Sequence, residues 1–300
     1  VRPTRRDGAI APPTHARWQR LIDALLGVSG RATGPLVAGG ERLWLEAVSR
    51  PEISRAAARV ADLRLPRPLL KALITRYIKL YDVDMRDAAE DIGAHRTFND
   101  FFIRRLRPGA RPITPDPEVL ASPADARLSQ LGAIGRDGTL PEVKGRRYGA
   151  ATLLGGSGDP RRFADGYFAV LYLSPRDYHR VHCPDDAVVT RIERLDGRHY
   201  PVNPLGARRI PALLAKNLRV VFHLESAHFG PLALVMVGAT NVGRITTELR
   251  AGDRVARGDE LGVFSLGSTV VLLSTKPLVS AGALEGELVQ VGQPLLRPTR

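Results

Sequence analysis

The rhythm of apolar positions changes near residue 110. Before it, the spacing is helical. Trp18, Leu21, Ile22, Leu25 and Leu26 share one stripe over residues 15–27, with Arg17 and Arg20 beside it. Residues 28–40 are Gly-rich and turn-like. A second helical pattern covers 41–63, and Pro51 within it is placed to open a new helix at its first turn. Pro66 and Pro68 punctuate the chain. A third helix is then predicted over Leu69 to Tyr81, with Leu70, Leu73, Ile74, Tyr77 and Ile78 at helical spacing among Lys71, Arg76 and Lys79. Basic amphipathic helices of this kind suit either an interfacial membrane module or helices packed on a domain.

Beyond 110, short β-branched runs alternate with Gly, Pro and Asp turns. Tyr167 to Leu173, Ala187 to Ile192, Arg219 to Leu224, Leu232 to Val237, Val242 to Leu249 and Thr269 to Leu273 read as strands. Gly252, Val255, Gly258 and Leu261 repeat the spacing of Gly286, Val289, Gly292 and Leu295. The glycines suit tight hairpin turns and the apolar residues suit inward strand positions. No lysine sits at either turn, which argues against a lipoyl-like carrier. The predicted fold class is α+β. A mostly antiparallel, barrel- or sandwich-like β core (99–300) follows an N-terminal amphipathic helical module (1–98).

Composition narrows the functional classes. The chain has 300 residues and a formal net charge of +13. Residues 1–80 hold 15 Arg/Lys against 6 Asp/Glu, so most of the excess is N-terminal. An anionic partner is expected, and an anionic membrane surface fits better than nucleic acid, for which no recognition motif is present. The single cysteine, Cys183, excludes an intrachain disulfide framework and a cysteine-rich metal site. The first residues lack the apolar run of a signal peptide, and no run is long enough for a transmembrane helix.

Few residues can carry chemistry. His179 and His182 lie in Ser174-Pro-Arg-Asp-Tyr-His-Arg-Val-His-Cys-Pro184, after a predicted strand. Acid/base work and structural hydrogen bonding are both open for them; a metal pair is weaker, because no third ligand stands at standard spacing. Ser268, in Leu266-Gly-Ser-Thr269, precedes an apolar strand and is not a GxSxG nucleophile. Asp125, in Ser122-Pro-Ala-Asp-Ala126, is either a turn residue or a partner for a histidine.

Together these stretches resemble the phosphatidylserine decarboxylases over roughly residues 66–298. The resemblance includes Tyr81-Asp-Val-Asp-Met85, Arg96-Thr-Phe-Asn-Asp-Phe-Phe102, Arg107-Pro-Gly-Ala-Arg-Pro-Ile113, Ser122-Pro-Ala-Asp125 and Val143-Lys-Gly145. It continues through Tyr172-Leu-Ser-Pro-Arg-Asp-Tyr-His-Arg-Val-His182, Asn217, Val237-Gly-Ala239, Val242-Gly243 and Leu266-Gly-Ser-Thr269. It implies self-cleavage between Gly267 and Ser268, giving a large chain 1–267 and a small chain 268–300. Ser268 would become a covalent pyruvoyl cofactor, with no metal. Asp125, His182 and Ser268 look like the family's self-processing triad, and His179 like its substrate-side histidine. The pyruvoyl ketone would form a Schiff base with the serine amine of phosphatidylserine in a bilayer and release CO2 and phosphatidylethanolamine.

The same resemblance implies a homodimer and a peripheral membrane protein on the cytoplasmic face of a bacterial cell membrane. It favours the interfacial reading of the basic helices, with Trp18 or Tyr77 as interface residues. Two departures are visible. Ala126 replaces a usual glycine, which would cost about 1 kcal/mol if φ there were positive. Residues 1–60 match poorly. Competing readings are a serine hydrolase using Ser268, His182 and Asp125 without cleavage, a carrier-like lipid-binding domain, and a catalytically inactive lipid-binding homologue.

Overall fold

The computed structural model describes residues 46, 49–141, 147–156, 159, 161–202, 204–240, 244–266 and 268–299. The expected helix over 15–27 with Trp18, and the motif positions Val143–Gly145, Val242, Gly243 and Gly267, lie outside the described residues.

Helix α1 (Pro51–Ala61) opens with Pro51 in its first turn, where a missing N–H breaks no helical bond. Helix α2 (Arg67–Tyr81) buries Leu70, Ile74 and Tyr77 and ends on Asp82 in the left-handed conformation. Helix α3 (Phe98–Phe102) is capped by the Thr97 hydroxyl, which accepts from the Asp100 N–H. Phe98, Phe101 and Phe102 pack with Ala61, Leu70, Ile74, Tyr77 and Leu266. The helical stripe is thus used in packing. Tyr77 is a core residue rather than an interface residue: it is buried, and its hydroxyl donates to the Pro175 carbonyl at 2.8 Å.

The β core follows: β1 (Leu120–Ala121), β2 (Ala126–Ala133), β3 (Thr139–Pro141) and β4 (Arg147–Gly149), then α4 (Ala150–Leu153). Next come β5 (Tyr167–Leu173), β6 (Arg180–His182), β7 (Ala187–Leu195), α5 (Pro204–Arg209) and α6 (Leu213–Lys216). After them run β8 (Arg219–Ser226), β9 (Gly230–Gly238), β10 (Arg244–Thr246), β11 (Arg254–Val255), β12 (Glu260–Ser265) and β13 (Ser268–Ser274). The chain closes with β14 (Leu278–Ser280), β15 (Leu288–Val289) and β16 (Pro294–Pro298).

The main sheet has eight strands in the order β11-β7-β8-β9-β13-β5-β2-β15, and its pairings are antiparallel. All seven residues of β13 are buried, because both faces of the sheet are covered. Val270 and Leu272 face one cluster, with Leu120, Val181 and Phe264 from two small sheets, β1-β16-β14 and β10-β12-β6. Val271 and Leu273 face the other, with Leu140, Tyr148, Leu153 and Ala215. The α+β class and the sheet-rich core therefore stand.

The glycine repeat has a structural meaning that differs from the hairpins expected. Gly252, Gly258, Gly286 and Gly292 all have positive φ. Yet β11 pairs with β7 and β15 with β2, at opposite ends of the main sheet. The turns are corners between sheets, not tips of hairpins. They belong to a pseudo-twofold that relates Ala121, Asp125 and Leu128 to His182, Asp186 and Val189. The Ala121 N–H donates to the Pro184 carbonyl, and the His182 N–H to the Pro123 carbonyl. The Leu128 N–H donates to the Glu287 carbonyl, and the Val189 N–H to the Asp253 carbonyl. Ala126 pairs with Val289, and Ala187 with Val255. Ala126 is an ordinary strand residue and is absent from the positive-φ positions, so alanine carries no strain there.

Candidate active site

Ser268 begins the central strand, paired with Leu173 on one side and Gly238 on the other. Asn217 fixes that end of β9: its Nδ2 donates to the carbonyls of Gly238 and Tyr200, both at 2.8 Å. Ser268 is buried, and its Oγ has no hydrogen-bond partner among the described residues. Leu266, two residues earlier, has φ 72°. The left-handed region costs a non-glycine residue about 1–2 kcal/mol, which the burial of Leu266 against the helices offsets. The chain is thus constrained at Leu266.

His179 precedes β6, and its carbonyl accepts from the Phe264 N–H of β12 at 3.0 Å. Its Nδ1 lies 2.8 Å from the Asp177 carbonyl, an acceptor only, so Nδ1 carries the proton and Nε2 keeps a lone pair. That Nε2 has no partner among the described residues. The ring is fully buried against Phe102, with centroids 4.2 Å apart. Burial pulls its pKa down to about 3, so the imidazole is neutral.

His182 closes β6. Its Nδ1 lies 2.7 Å from the Gly258 carbonyl, which fixes the same tautomer. Its Nε2 accepts from the Tyr178 hydroxyl at 3.2 Å. Burial again lowers the pKa, partly opposed by the Gly258 bond and by the charges of Glu260 and Asp125.

Asp125, expected as the triad aspartate, makes no hydrogen bond to His182 among the described residues. Both ring nitrogens of His182 are engaged by Gly258 and Tyr178, and the Asp125 carboxylate is engaged elsewhere. Arg111 grips it, with Nε 3.0 Å from both carboxylate oxygens and Nη2 2.7 Å from Oδ2. Its Oδ1 also accepts from the Val291 N–H at 2.9 Å. The physical reason is competition: a bidentate guanidinium binds a carboxylate more strongly than a neutral imidazole does. The pseudo-twofold mate Asp186 makes the same backbone bond, to the Arg257 N–H at 2.8 Å. Asp125 reaches His182 by its field alone. A hydrolase triad joined by hydrogen bonds is therefore absent among the described residues.

A family model described as phosphatidylserine decarboxylase matches residues 98–297. The chain belongs to the phosphatidylserine decarboxylase family. It is 45% identical over 237 residues to a phosphatidylserine decarboxylase proenzyme of Acidovorax ebreus, covering 72% of this chain and 82% of that one. It is 43% identical over 250 residues to the proenzyme of Photobacterium profundum, covering 76% and 85%. It is 40% identical over 248 residues to that of Brevibacillus brevis, covering 76% and 88%.

Family membership places the geometry in context. His179 meets the helical layer, and so does Leu266, two residues before Ser268, since Phe102 packs on His179 and shares a cluster with Leu266. A polar cavity of about 360 Å³ is lined by Arg104, Arg111, Asp125, Arg176, Asp177 and Tyr178 among others, and Tyr178 joins it to His182. The sequence marked neither Arg111 nor Tyr178 as a site residue, and marked Gly258 only as a turn glycine. Arg111 and Tyr178 sit within the family-like stretches and could have been marked there. Gly258 acts through its carbonyl, which leaves no side-chain signal. No group of three or more metal-ligating side chains occurs among the described residues.

Proposed function

We propose that the protein decarboxylates phosphatidylserine to phosphatidylethanolamine after cutting itself between Gly267 and Ser268. The observation that carries this reading is Ser268: a buried hydroxyl heading the central strand with no partner among the described residues, in a family whose relatives are named proenzymes. A buried hydroxyl without a partner is unfavourable, and such exceptions ask for a chemical explanation. The same unpartnered oxygen suits a pyruvoyl precursor.

In self-cleavage, Ser268 Oγ adds to the Gly267 carbonyl carbon and its proton passes to His182 Nε2. The amide bond breaks and an ester replaces it, with the proton returned to the freed Ser268 nitrogen. Loss of the Ser268 Cα proton expels the Gly267 carboxylate. Hydrolysis then takes up water and releases ammonia. Asp125 contributes its negative charge, which favours the transient imidazolium of His182. The resulting pyruvoyl ketone supplies the electrophile that captures the serine amine and takes up the electron pair left by departing CO2. His179 Nε2, neutral and without a partner among the described residues, accepts a proton from the incoming ammonium and returns it to the headgroup carbon. The substrate carboxylate beside it favours the protonated ring meanwhile.

Membrane placement extends the same reading. Val60, Leu63, Leu69 and Leu80 are exposed on or beside α1 and α2, among the exposed Arg59, Arg64, Arg67, Lys71 and Lys79. Apolar side chains ringed by cations suit the interface of an anionic bilayer. No helix among the described residues is long and apolar enough to cross one. We place the chain on the cytoplasmic face as a homodimer, with residues 1–98 as the attachment module and 99–300 as the catalytic domain.

The deciding experiment is denaturing intact-mass spectrometry together with CO2 release from carboxyl-labelled phosphatidylserine. Cleavage predicts a small chain of about 3.5 kDa, and fragment masses summing to about 1 Da above the precursor rather than about 18 Da. Ser268→Ala should leave one 32.7 kDa species and release no CO2. An uncleaved wild-type protein that still releases CO2 would defeat the self-cleavage reading.

A further inference from the structure

The polar cavity contains four arginines, and three of them are matched with carboxylates. Arg86 pairs with Asp84, Arg111 with Asp87 and Asp125, and Arg176 lies 3.7 Å from Asp177. Arg104 has no carboxylate within ion-pair distance among the described residues, although it is 5% exposed. Its Nη2 donates to the Arg176 carbonyl at 3.1 Å, and its guanidinium lies 5.6 Å from the Phe101 ring centroid. Its Nε has no hydrogen-bond partner among the described residues. The two carboxylates whose fields reach it are committed elsewhere. Asp125 is held by Arg111, and Asp177 accepts from the Ser174 N–H and hydroxyl at 2.6 and 2.8 Å.

A buried cation without a counter-ion is unfavourable, and burial depresses the pKa of Arg104 accordingly. Its place explains its retention. It lines the cavity together with Tyr178, which bonds His182, and its charge reaches His179. A guanidinium fork matches an oxyanion in both charge and shape.

We propose that Arg104 anchors the phosphodiester of the serine phospholipid. The inference rests on the decarboxylase reading and names the group that binds the headgroup. The phosphate is a better partner than the carboxylate for a physical reason. The carboxylate gives up its charge as CO2 leaves. A cation fixed on it would stabilise the ground state more than the transition state and slow the reaction. The phosphate keeps its charge throughout, so Arg104 can hold it at every stage without opposing the chemistry. Arg104 is thus a binding and positioning residue.

The test uses the full-length, self-processed protein with Arg104→Gln and Arg104→Lys. In each, chain cleavage is read first, then KM and kcat for phosphatidylserine in vesicles. Arg104→Gln should cleave normally and raise KM at least about tenfold with kcat within about threefold, and Arg104→Lys should recover part of the KM. A cleaved Arg104→Gln enzyme with unchanged KM overturns the inference alone. Failure of the wild-type chain to cleave or to release CO2 overturns the decarboxylase reading and this inference with it. A second measurement needs no variant. The wild-type protein should bind glycerophosphoserine at least about tenfold more tightly than O-methylserine, which keeps the amine and carboxylate but lacks the phosphate. Equal binding of the two overturns the proposal. Inorganic phosphate binding as tightly as glycerophosphoserine would make this a free-phosphate site and overturn it too.

Discussion

Arg111 holds Asp125 through both carboxylate oxygens, while His182 turns its Nδ1 to the Gly258 carbonyl. The aspartate steadies the site by fixing the chain around it, because its Oδ1 also caps the Val291 N–H. Arg111 is charged against burial, which its bonds to Asp125 and Asp87 outweigh. Arg111→Gln should therefore cost about 2–4 kcal/mol of stability by stranding a mostly buried carboxylate. Urea unfolding measures that loss. A time course of chain cleavage on gels should show slower processing than in the wild type.

The neutral histidines make stability depend on pH. The native His179 has a pKa of about 3, against about 6.5 for an unfolded histidine. Between those values the unfolded chain binds a proton that the native chain does not, so stability falls as pH drops below about 6.5. At pH 5 the expected loss from His179 is about 2 kcal/mol. His95, His182 and His223 are shifted in the same direction, each chiefly by burial. Urea midpoints at pH 7 and pH 5 should differ in the wild type and differ less in His179→Gln. An equal difference in the two proteins would refute the assignment.

Two glycines of the repeat separate backbone strain from steric conflict. Gly252 has φ 98° and open space where a Cβ would project. Gly292 has φ 86°, and a Cβ there would lie 2.6 Å from both Ile113 Cδ1 and the Pro112 carbonyl oxygen. Gly252→Ala should cost about 1 kcal/mol from the left-handed backbone alone. Gly292→Ala should cost more, about 2–4 kcal/mol, since backbone must also move. Thermal unfolding of the two variants side by side gives the ranking.

The exposed apolar residues of the helical layer allow attachment to be tested apart from processing. Val60 is 59% and Leu63 53% exposed, so Val60→Asp with Leu63→Asp removes little packing. Chain cleavage should be unchanged. Co-sedimentation with anionic vesicles should weaken several-fold, and the residual binding should fall further with added salt.

How much of this was legible beforehand can be seen residue by residue. The helix over Leu69–Tyr81 was readable because it buries one periodic set of side chains, and the strand Tyr167–Leu173 because a short continuous apolar run suits a strand buried on both faces. Ser268, His179 and His182 were singled out because their neighbours resemble a known family. The spacing shared by Gly252 and Gly286 was visible too, but its partner repeat was not. Ser122-Pro-Ala-Asp-Ala126 and Cys183-Pro-Asp-Asp-Ala187 form the other half of the pseudo-twofold, and they share too few side chains to stand out.

The sequence by itself determined the chemistry available: a serine before a buried strand, two histidines spaced within one segment, and an excess of cations near the N-terminus. Tertiary structure decided the partners. Asp125 went to Arg111 rather than His182, Tyr77 went to the core rather than the surface, and Arg104 was buried without a carboxylate among the described residues. Local patterns report which face of an element is apolar. Which charge meets which is settled by strands and loops far apart in the chain, and only the folded sheet brings those together.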